Sequence, residues 1–466
     1  MTSNHTAIGD TICAISTPQG MGGIAVVRVS GPEALDVVGR RWQGAPLDAM
    51  TSHTAHLGHI VDTLGELLDE VVLTIYRAPR SFTGEDVIEL SCHGSTWIQQ
   101  QIIGTLVDAG ARLAEPGEFT RRAFASGRLD LSQAEAVADV IAATSQASHR
   151  LAMTQMRGDF ARKLNELREQ LLHFVALLEL ELDFSEEDVN FADRTQLVGL
   201  ARDIRDVIDR LASSFTVGNA IKRGLPVAIV GQTNAGKSTI LNALLHDDRA
   251  LVSDIHGTTR DVIEDTITLG GTLFRFIDTA GLRDSDDTIE NMGIERAFRK
   301  MDEAQLVLWV IDGTTPAAQA TAMSQQIVPH CQDKSLIAVV NKTDLADASP
   351  LLEALPALLP EHSTIIAISA HTASDVQRLE DAIVEAARMP HIAHGDIVVT
   401  NARHEQALKA ASQALTRAID GLDAGLSGDL VSQDIRECVH HLGTITGAIT
   451  TNDILGEIFA HFCIGK

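Results

Sequence analysis

Nowhere in the 466 residues do eighteen apolar side chains follow one another, and a helix needs about that many to span a bilayer. The first residues, Met1-Thr-Ser-Asn-His5, hold no basic stretch followed by an apolar one, which is the pattern of a secretion signal. The expectation is a cytoplasmic protein with no membrane partner. Cysteine is scarce: Cys13, Cys92, Cys331, Cys438 and Cys463 make five, an odd number without close spacing. That speaks against both a disulfide framework and a zinc site. Basic residues are also few, with 37 Lys and Arg against 63 Asp and Glu and a formal net charge of −26. The chain as a whole repels polyanions, so any nucleic-acid contact requires a local basic surface or a partner.

What is present is the composition of a folded protein, 45% hydrophobic and 21% charged, at a length that accommodates roughly two to four domains. Residues 8 to 128 mix β-rich runs such as Ile24–Val29 with glycine-rich turns such as Gly20-Met-Gly-Gly23, the texture of an α+β domain. From Leu129 apolar residues recur at helical spacing, with Ser132 and Glu135 read as a capping box ahead of Ala136 and Val137. Helical texture continues to about Phe215 and ends at Gly224-Leu-Pro226. Short β-branched runs then alternate with helical ones: Val227–Val230, Phe274–Ile277, Val307–Ile311, Leu336–Val340 and Ile365–Ile368. Continuous apolar strands of this kind belong to a parallel sheet covered on both faces. Beyond Pro390 helical spacing returns. The reading is a multidomain α/β chain: an N-terminal α+β domain over 1–128, an all-α domain built from 129–217 and 389–466, and a parallel-sheet domain, 218–388, inserted into it.

The inserted segment carries an ordered set of nucleotide motifs. Gly231-Gln-Thr-Asn-Ala-Gly-Lys-Ser238 follows a strand and opens a helix, the setting of a phosphate-binding loop. Its glycines let the N–H groups of Asn234, Ala235, Gly236, Lys237, Ser238 and Thr239 close around phosphates. Lys237 supplies a cation to the β and γ oxygens, and the Ser238 hydroxyl suits Mg²⁺. Asp278, Thr279, Ala280 and Gly281 end the run Phe274–Ile277, where a carboxylate of the Mg²⁺ shell and a γ-phosphate sensor belong. In Gly257-Thr258-Thr259, Thr259 is the candidate second Mg²⁺ hydroxyl. Asn341, Lys342, Thr343 and Asp344 end the run Leu336–Val340, and the Asp344 carboxylate can accept two hydrogen bonds from the guanine N–H edge that adenine cannot offer. Ser369 and Ala370, with His371 following, place backbone near the base carbonyl. The set predicts GTP over ATP and resembles the translation-factor-related class of GTPases with a Ras-like fold.

Where Ras-like enzymes carry a water-orienting glutamine, this chain has Leu282, which cannot hydrogen-bond. Charged groups downstream are Arg283, Asp284, Asp286, Asp287 and Glu290. Further motifs lie outside the nucleotide segment: Asp10-Thr-Ile-Cys-Ala14, Gly22-Gly-Ile24, Ser81-Phe-Thr-Gly-Glu-Asp-Val-Ile-Glu-Leu90, Pro116-Gly-Glu-Phe-Thr-Arg-Arg-Ala-Phe124, Gly127-Arg-Leu-Asp-Leu-Ser-Gln-Ala-Glu-Ala136 and the tail Phe462-Cys-Ile-Gly-Lys466. Together they resemble the tRNA modification GTPases of the MnmE family, also called TrmE, over essentially the whole chain.

That resemblance implies a homodimer with an N-terminal folate-binding-like domain, working with the flavoprotein MnmG. The implied reaction adds an aminomethyl or carboxymethylaminomethyl group to the wobble uridine of certain tRNAs, with 5-formyl- or methylene-tetrahydrofolate as the one-carbon source. It implies that Asn234, Ser253, Ile255 and Thr258 hold K⁺ beside the phosphates, and that Asp254, His256 and Gly257 lie in the same nucleotide-binding segment. Glu290 falls on the water-orienting position, Arg28, Glu89 and Arg128 on the folate positions, and Lys466 reaches that site from the tail. Cys463 sits in the same tail and keeps two readings, a thiolate nucleophile or a packing residue. Thr233, Ser95, and His371 with Ala373 depart from the family pattern without touching a proposed catalytic group. Two other classes compete: a ribosome-assembly-type GTPase switch, which would carry a basic RNA-binding module, and a folate-dependent methyltransferase with an incidental nucleotide domain, which complete Mg²⁺, phosphate and guanine motifs argue against.

Overall fold

The computed structural model describes residues 9–183, 194–246, 265–277, 298–387, 396–460, 462 and 465. The chain divides into two compact units. One comprises 1–142, 152–209 and 406–466, the other 143–151 and 210–405.

The first unit opens with a seven-stranded sheet in the order β3-β4-β5-β6-β2-β1-β7. Its strands are β1 (Ile12–Ile15), β2 (Ile24–Ser30), β3 (Trp42–Gln43), β4 (Thr54–Val61), β5 (Leu67–Tyr76), β6 (Val87–His93) and β7 (Arg112–Leu113). All pairings are antiparallel except β1 with β7. Side chains on a strand alternate between faces. Val27, Val29, Leu73, Ile75, Ile88, Leu90 and Cys92 therefore fill one core with Ile102 and Leu106 of the helix Thr96–Asp108. The intervening residues, Arg28, Val72, Glu89 and Ser91 among them, line the opposite face.

The same unit contains the helical segments. In Asp159–Asp183 the buried residues Phe160, Leu164, Leu167, Leu171, Phe174 and Leu178 recur every three or four positions, the stripe by which a helix buries one side. That helix packs against Gly428–Thr446, whose Val431, Ile435, Cys438, Leu442 and Ile445 are buried. Full burial of one such leucine contributes about 2 kcal/mol. Helix Arg194–Ser213 is tied to Ala402–Asp423 by Arg202 on Asp423 at 2.8 Å and by the Ser412 hydroxyl on Asp209 at 2.5 Å. Helical segments from before and after the nucleotide motifs thus meet.

One local expectation is corrected. Helix Leu131–Ala142 is capped by Asp130, not by Ser132. The Asp130 carboxylate accepts the Gln133 N–H at 2.9 Å and the Ser132 hydroxyl at 2.6 Å, while the Gln133 side chain accepts the Asp130 N–H at 3.0 Å. Asp130 and Gln133 form the reciprocal box two residues earlier, because Leu131 must enter the helix to be buried.

The second unit holds a six-stranded sheet in the order β13-β12-β11-β8-β10-β9. Its strands are β8 (Leu225–Val230), β9 (Asp265–Leu269), β10 (Thr272–Phe276), β11 (Leu306–Asp312), β12 (Ser335–Asn341) and β13 (Thr364–Ala367). Only β9 runs antiparallel to its neighbour. All five expected strands are present, each displaced by two residues or fewer at its ends. On β11, Leu306, Leu308 and Val310 enter one core while Val307, Trp309 and Ile311 enter the other. Both faces are covered, which explains why these strands read as unbroken apolar runs. Among the described residues no helix is long and apolar enough to cross a membrane.

Candidate nucleotide site

The loop Gly231–Ser238 leaves the carboxyl end of β8 and turns into the helix Lys237–His246. Two glycines are fixed by contacts as well as by backbone angle. Gly231 has φ +145°, and a Cβ there would stand 2.1 Å from the Val310 carbonyl oxygen. Gly236 has φ +96°, and a Cβ would stand 2.1 Å from Asn341 Nδ2. Asn234 takes φ +63° without being glycine, a left-handed conformation that asparagine tolerates better than most residues. Ile240 donates its N–H to the Gly236 oxygen at 2.9 Å, so the helix begins inside the loop. The first N–H groups of a helix have no partner within it and suit an anion.

Lys237 folds back over the loop and donates to the Gly231 and Gln232 carbonyl oxygens at 2.8 and 2.6 Å. Burial, and secondarily the Lys300 charge, pulls its pKa below the usual lysine value. The ammonium is held at a place that disfavours its charge, which anionic phosphate oxygens would offset.

Asn341 ends β12 and is 2% exposed. Its Nδ2 donates to the Ala235 oxygen at 3.0 Å, and its Oδ1 accepts the Ala370 N–H at 3.1 Å. One buried amide therefore joins the phosphate loop to the turn Ser369–Ala370. The Thr343 N–H reaches the Ile368 oxygen at 3.3 Å, and the Asp375 carboxylate accepts the Ser369 N–H at 2.9 Å. Lys342, at φ +62°, donates to the Asn234 oxygen at 2.6 Å and to Asp312 at 2.7 Å. Asp344 and His371 are exposed. Ser238 and Thr239 are half-buried at the helix start.

The structure thus brings together Asn234, Ala235, Lys342, Asn341 and Ala370, which lie in three separate stretches of sequence. Ile277, after β10, donates to the Val227 oxygen at 3.0 Å. Its successors Asp278, Thr279, Ala280, Gly281 and Leu282, the charged residues through Glu290, and Ser253, Asp254, Ile255, His256, Gly257, Thr258 and Thr259 lie outside the described residues, as do Cys463 and Lys466.

Two family models match the chain: the GTP-binding protein TrmE N-terminus over residues 11–128 and the MnmE helical domain over 131–463. The second begins in the helix Leu131–Ala142 and spans the parallel sheet. A Bacteroides thetaiotaomicron protein named tRNA modification GTPase MnmE is 53% identical over 465 residues, covering 98% of this chain and 99% of that protein. The chain belongs to the MnmE family. Proteins of the same name from Parabacteroides distasonis, 53% identical over 98% of this chain and 100% of theirs, and Cytophaga hutchinsonii, 47% identical over 100% and 99%, match as fully.

In this MnmE family member two of the second group of expected residues, Arg28 and Glu89, sit on the face of the N-terminal sheet opposite its main core. Arg28 and Glu89 face each other across β2 and β6. Nε and Nη2 of Arg28 both donate to Glu89 Oε1, at 2.9 and 2.8 Å. The guanidinium also stands 5.4 Å from the Phe82 ring centroid and 5.6 Å from that of Phe119, within cation–π range. Arg128 is exposed, with its Cγ near Gly84. From the tail, the Gly465 oxygen accepts the Ser16 hydroxyl at 3.1 Å, just beyond β1.

Sequence reasoning misses an ionic cluster in the same domain. Glu118, 1% exposed, takes hydrogen bonds from Arg112 at 2.7 and 3.0 Å and from Arg122 at 3.0 Å, and Asp10 pairs with both arginines. Burial raises the Glu118 pKa, and the hydrogen bonds from Arg112, the Glu115 backbone and Arg122 outweigh it and leave it lowered. The only local signal is the spacing of Glu118 and Arg122 on one helix. The described cysteines are buried thiols: burial pushes Cys13, Cys92 and Cys331 up to about 11 and Cys438 up to about 12, so none is poised as a thiolate.

Proposed function

We propose that this chain hydrolyses GTP with Mg²⁺ and K⁺ and, as a cytoplasmic homodimer with the flavoprotein MnmG, takes part in adding an aminomethyl or carboxymethylaminomethyl group to the wobble uridine of tRNA. A tetrahydrofolate, the 5-formyl or methylene form, supplies the one-carbon unit. The observation that carries this reading is near-complete, end-to-end similarity to proteins named tRNA modification GTPase MnmE. The folded phosphate loop and its buried tie through Asn341 to the turn at Ala370 support it.

The residues fit the groups they would hold. Lys237 and the N–H groups from Asn234 to Thr239 suit the phosphates, and Ser238 with Thr259 and Asp278 supplies the hard oxygens that Mg²⁺ prefers. Asn234, Ser253, Ile255 and Thr258 would hold K⁺, whose charge would offset the charge developing on the phosphates. Asp344 and the Ser369–Ala370–His371 turn read the base, and Glu290 orients water. Arg28, Glu89, Arg128 and Lys466 form the folate site. A guanidinium suits a glutamate-type carboxylate and a carboxylate suits the N–H groups of a pterin, so the existing Arg28–Glu89 pair would open as folate enters.

GTP turnover is expected to be several-fold faster in KCl than in NaCl, and a rate indifferent to the cation would contradict the K⁺ assignment. The larger proposal is tested by nucleoside analysis of tRNA from cells lacking the gene. The expected result is loss of the modified wobble uridine, restored by the intact gene; an unchanged nucleoside profile would refute it.

A further inference from the structure

Asp312 belongs to no nucleotide motif, and the structure places it where two of them meet. The parallel register of β11 and β12 sets Asp312 opposite Asn341, and the Gly313 N–H closes the strand ends on the Asn341 oxygen at 2.7 Å. Asp312 Oδ1 is committed to its own turn, accepting the Thr314 N–H at 2.9 Å and the Thr314 hydroxyl at 2.8 Å. Oδ2 remains for Lys342 Nζ at 2.7 Å, and the same ammonium donates to the Asn234 oxygen at 2.6 Å. Burial raises the Asp312 pKa, but the Lys342 and Thr314 hydrogen bonds outweigh it and hold the carboxyl below the usual carboxylate range.

Lys342 and Asn234 also share a backbone feature. Among the described residues only three non-glycine residues have positive φ, and these are two of them, at +62° and +63°, the third being His53. Left-handed backbone in such residues is kept only where neighbouring contacts enforce it. At Asn234 the carbonyl oxygen accepts the Lys342 ammonium at 2.6 Å. A lysine is a flexible point charge, and what directs this one is Asp312.

We propose that Asp312 is a positioning residue of the GTPase site: by orienting Lys342 onto the Asn234 carbonyl, it holds the phosphate loop in its nucleotide-accepting form. The inference rests on the GTPase reading and deepens it. Without the carboxylate, Lys342 turns to solvent, Asn234 relaxes, and the loop N–H groups lose their convergence on the phosphates. Base discrimination, which belongs to Asp344, is untouched.

The test is titration of the full chain with fluorescent GDP and with xanthosine diphosphate, for the parent, Asp312→Asn and Asp312→Glu. Asp312→Asn is expected to weaken GDP binding about tenfold, the worth of one charge-assisted hydrogen bond. The ratio of GDP to xanthosine diphosphate affinity stays as in the parent, Asp312→Glu recovers part of the loss, and the thermal midpoint of the nucleotide-free protein stays put. GDP binding by Asp312→Asn within twofold of the parent would overturn the proposal. So would a loss that tracks thermal stability and is not recovered by glutamate. A parent that binds GDP while the variant is unaffected removes this inference alone; a parent that binds no guanine nucleotide removes the GTPase reading with it.

Discussion

Lys237→Ala is expected to lower kcat/KM for GTP by about 10³-fold, in line with the loss of a charged donor from a preorganised site. The Lys237 ammonium satisfies the Gly231 and Gln232 carbonyl oxygens, so it braces the loop at the place where the proposed site would take phosphate oxygens. Burial already lowers its pKa, so phosphate anions gain from it more than from a solvated lysine. Truncation removes the charge and leaves two loop carbonyls without their donor. Arginine at this position is not expected to restore activity, because the planar fork needs more room than a point charge. Steady-state GTP turnover measures the effect, and a loss below tenfold would mean that Lys237 does not face the phosphates.

The second large effect concerns the base. Asp344→Asn is expected to weaken GTP binding about 10²-fold and to improve binding of xanthosine triphosphate. In the proposed site guanine would present two N–H donors to the Asp344 carboxylate, and an asparagine amide would turn one of those pairings into donor against donor. Xanthine replaces the amine with a carbonyl, which that amide can serve. Asp344 is exposed and Asn341 buried, so the first can be changed without disturbing the tie from the phosphate loop to the Ala370 turn. Competition titrations with both nucleotides check the exchange, and equal weakening of both would show that the substitution acts on the fold instead.

The same contrast explains what could be read from the chain. The strands at Val307–Ile311 and Leu336–Val340 were legible because both sheet faces are buried, which writes the strand as an unbroken apolar run. The phosphate loop was legible because Gly231 and Gly236 answer local demands of backbone and space. The cap at Asp130 was misread at Ser132, since two overlapping boxes fit the letters and only the burial of Leu131 decides between them. Asp312 could not be found by motif, because its partner is brought alongside by strand register. The cluster of Asp10 with Arg112 and Arg122 was hidden because its members are far apart in sequence and meet only where the segment before β1, strand β7 and the helix Glu118–Ala125 come together. Arg28 and Glu89 were singled out only through resemblance, and their pairing with each other is an ordinary product of opposite charges on facing strands.

All of these consequences depend on the inserted sheet being a guanine-nucleotide site, and equilibrium binding of fluorescent GDP against fluorescent ADP by the purified full-length protein tests that most directly. Binding of GDP is expected to be at least about 100-fold tighter, since adenine cannot offer the Asp344 carboxylate the two N–H groups that guanine does. Equal affinity for the two would contradict it.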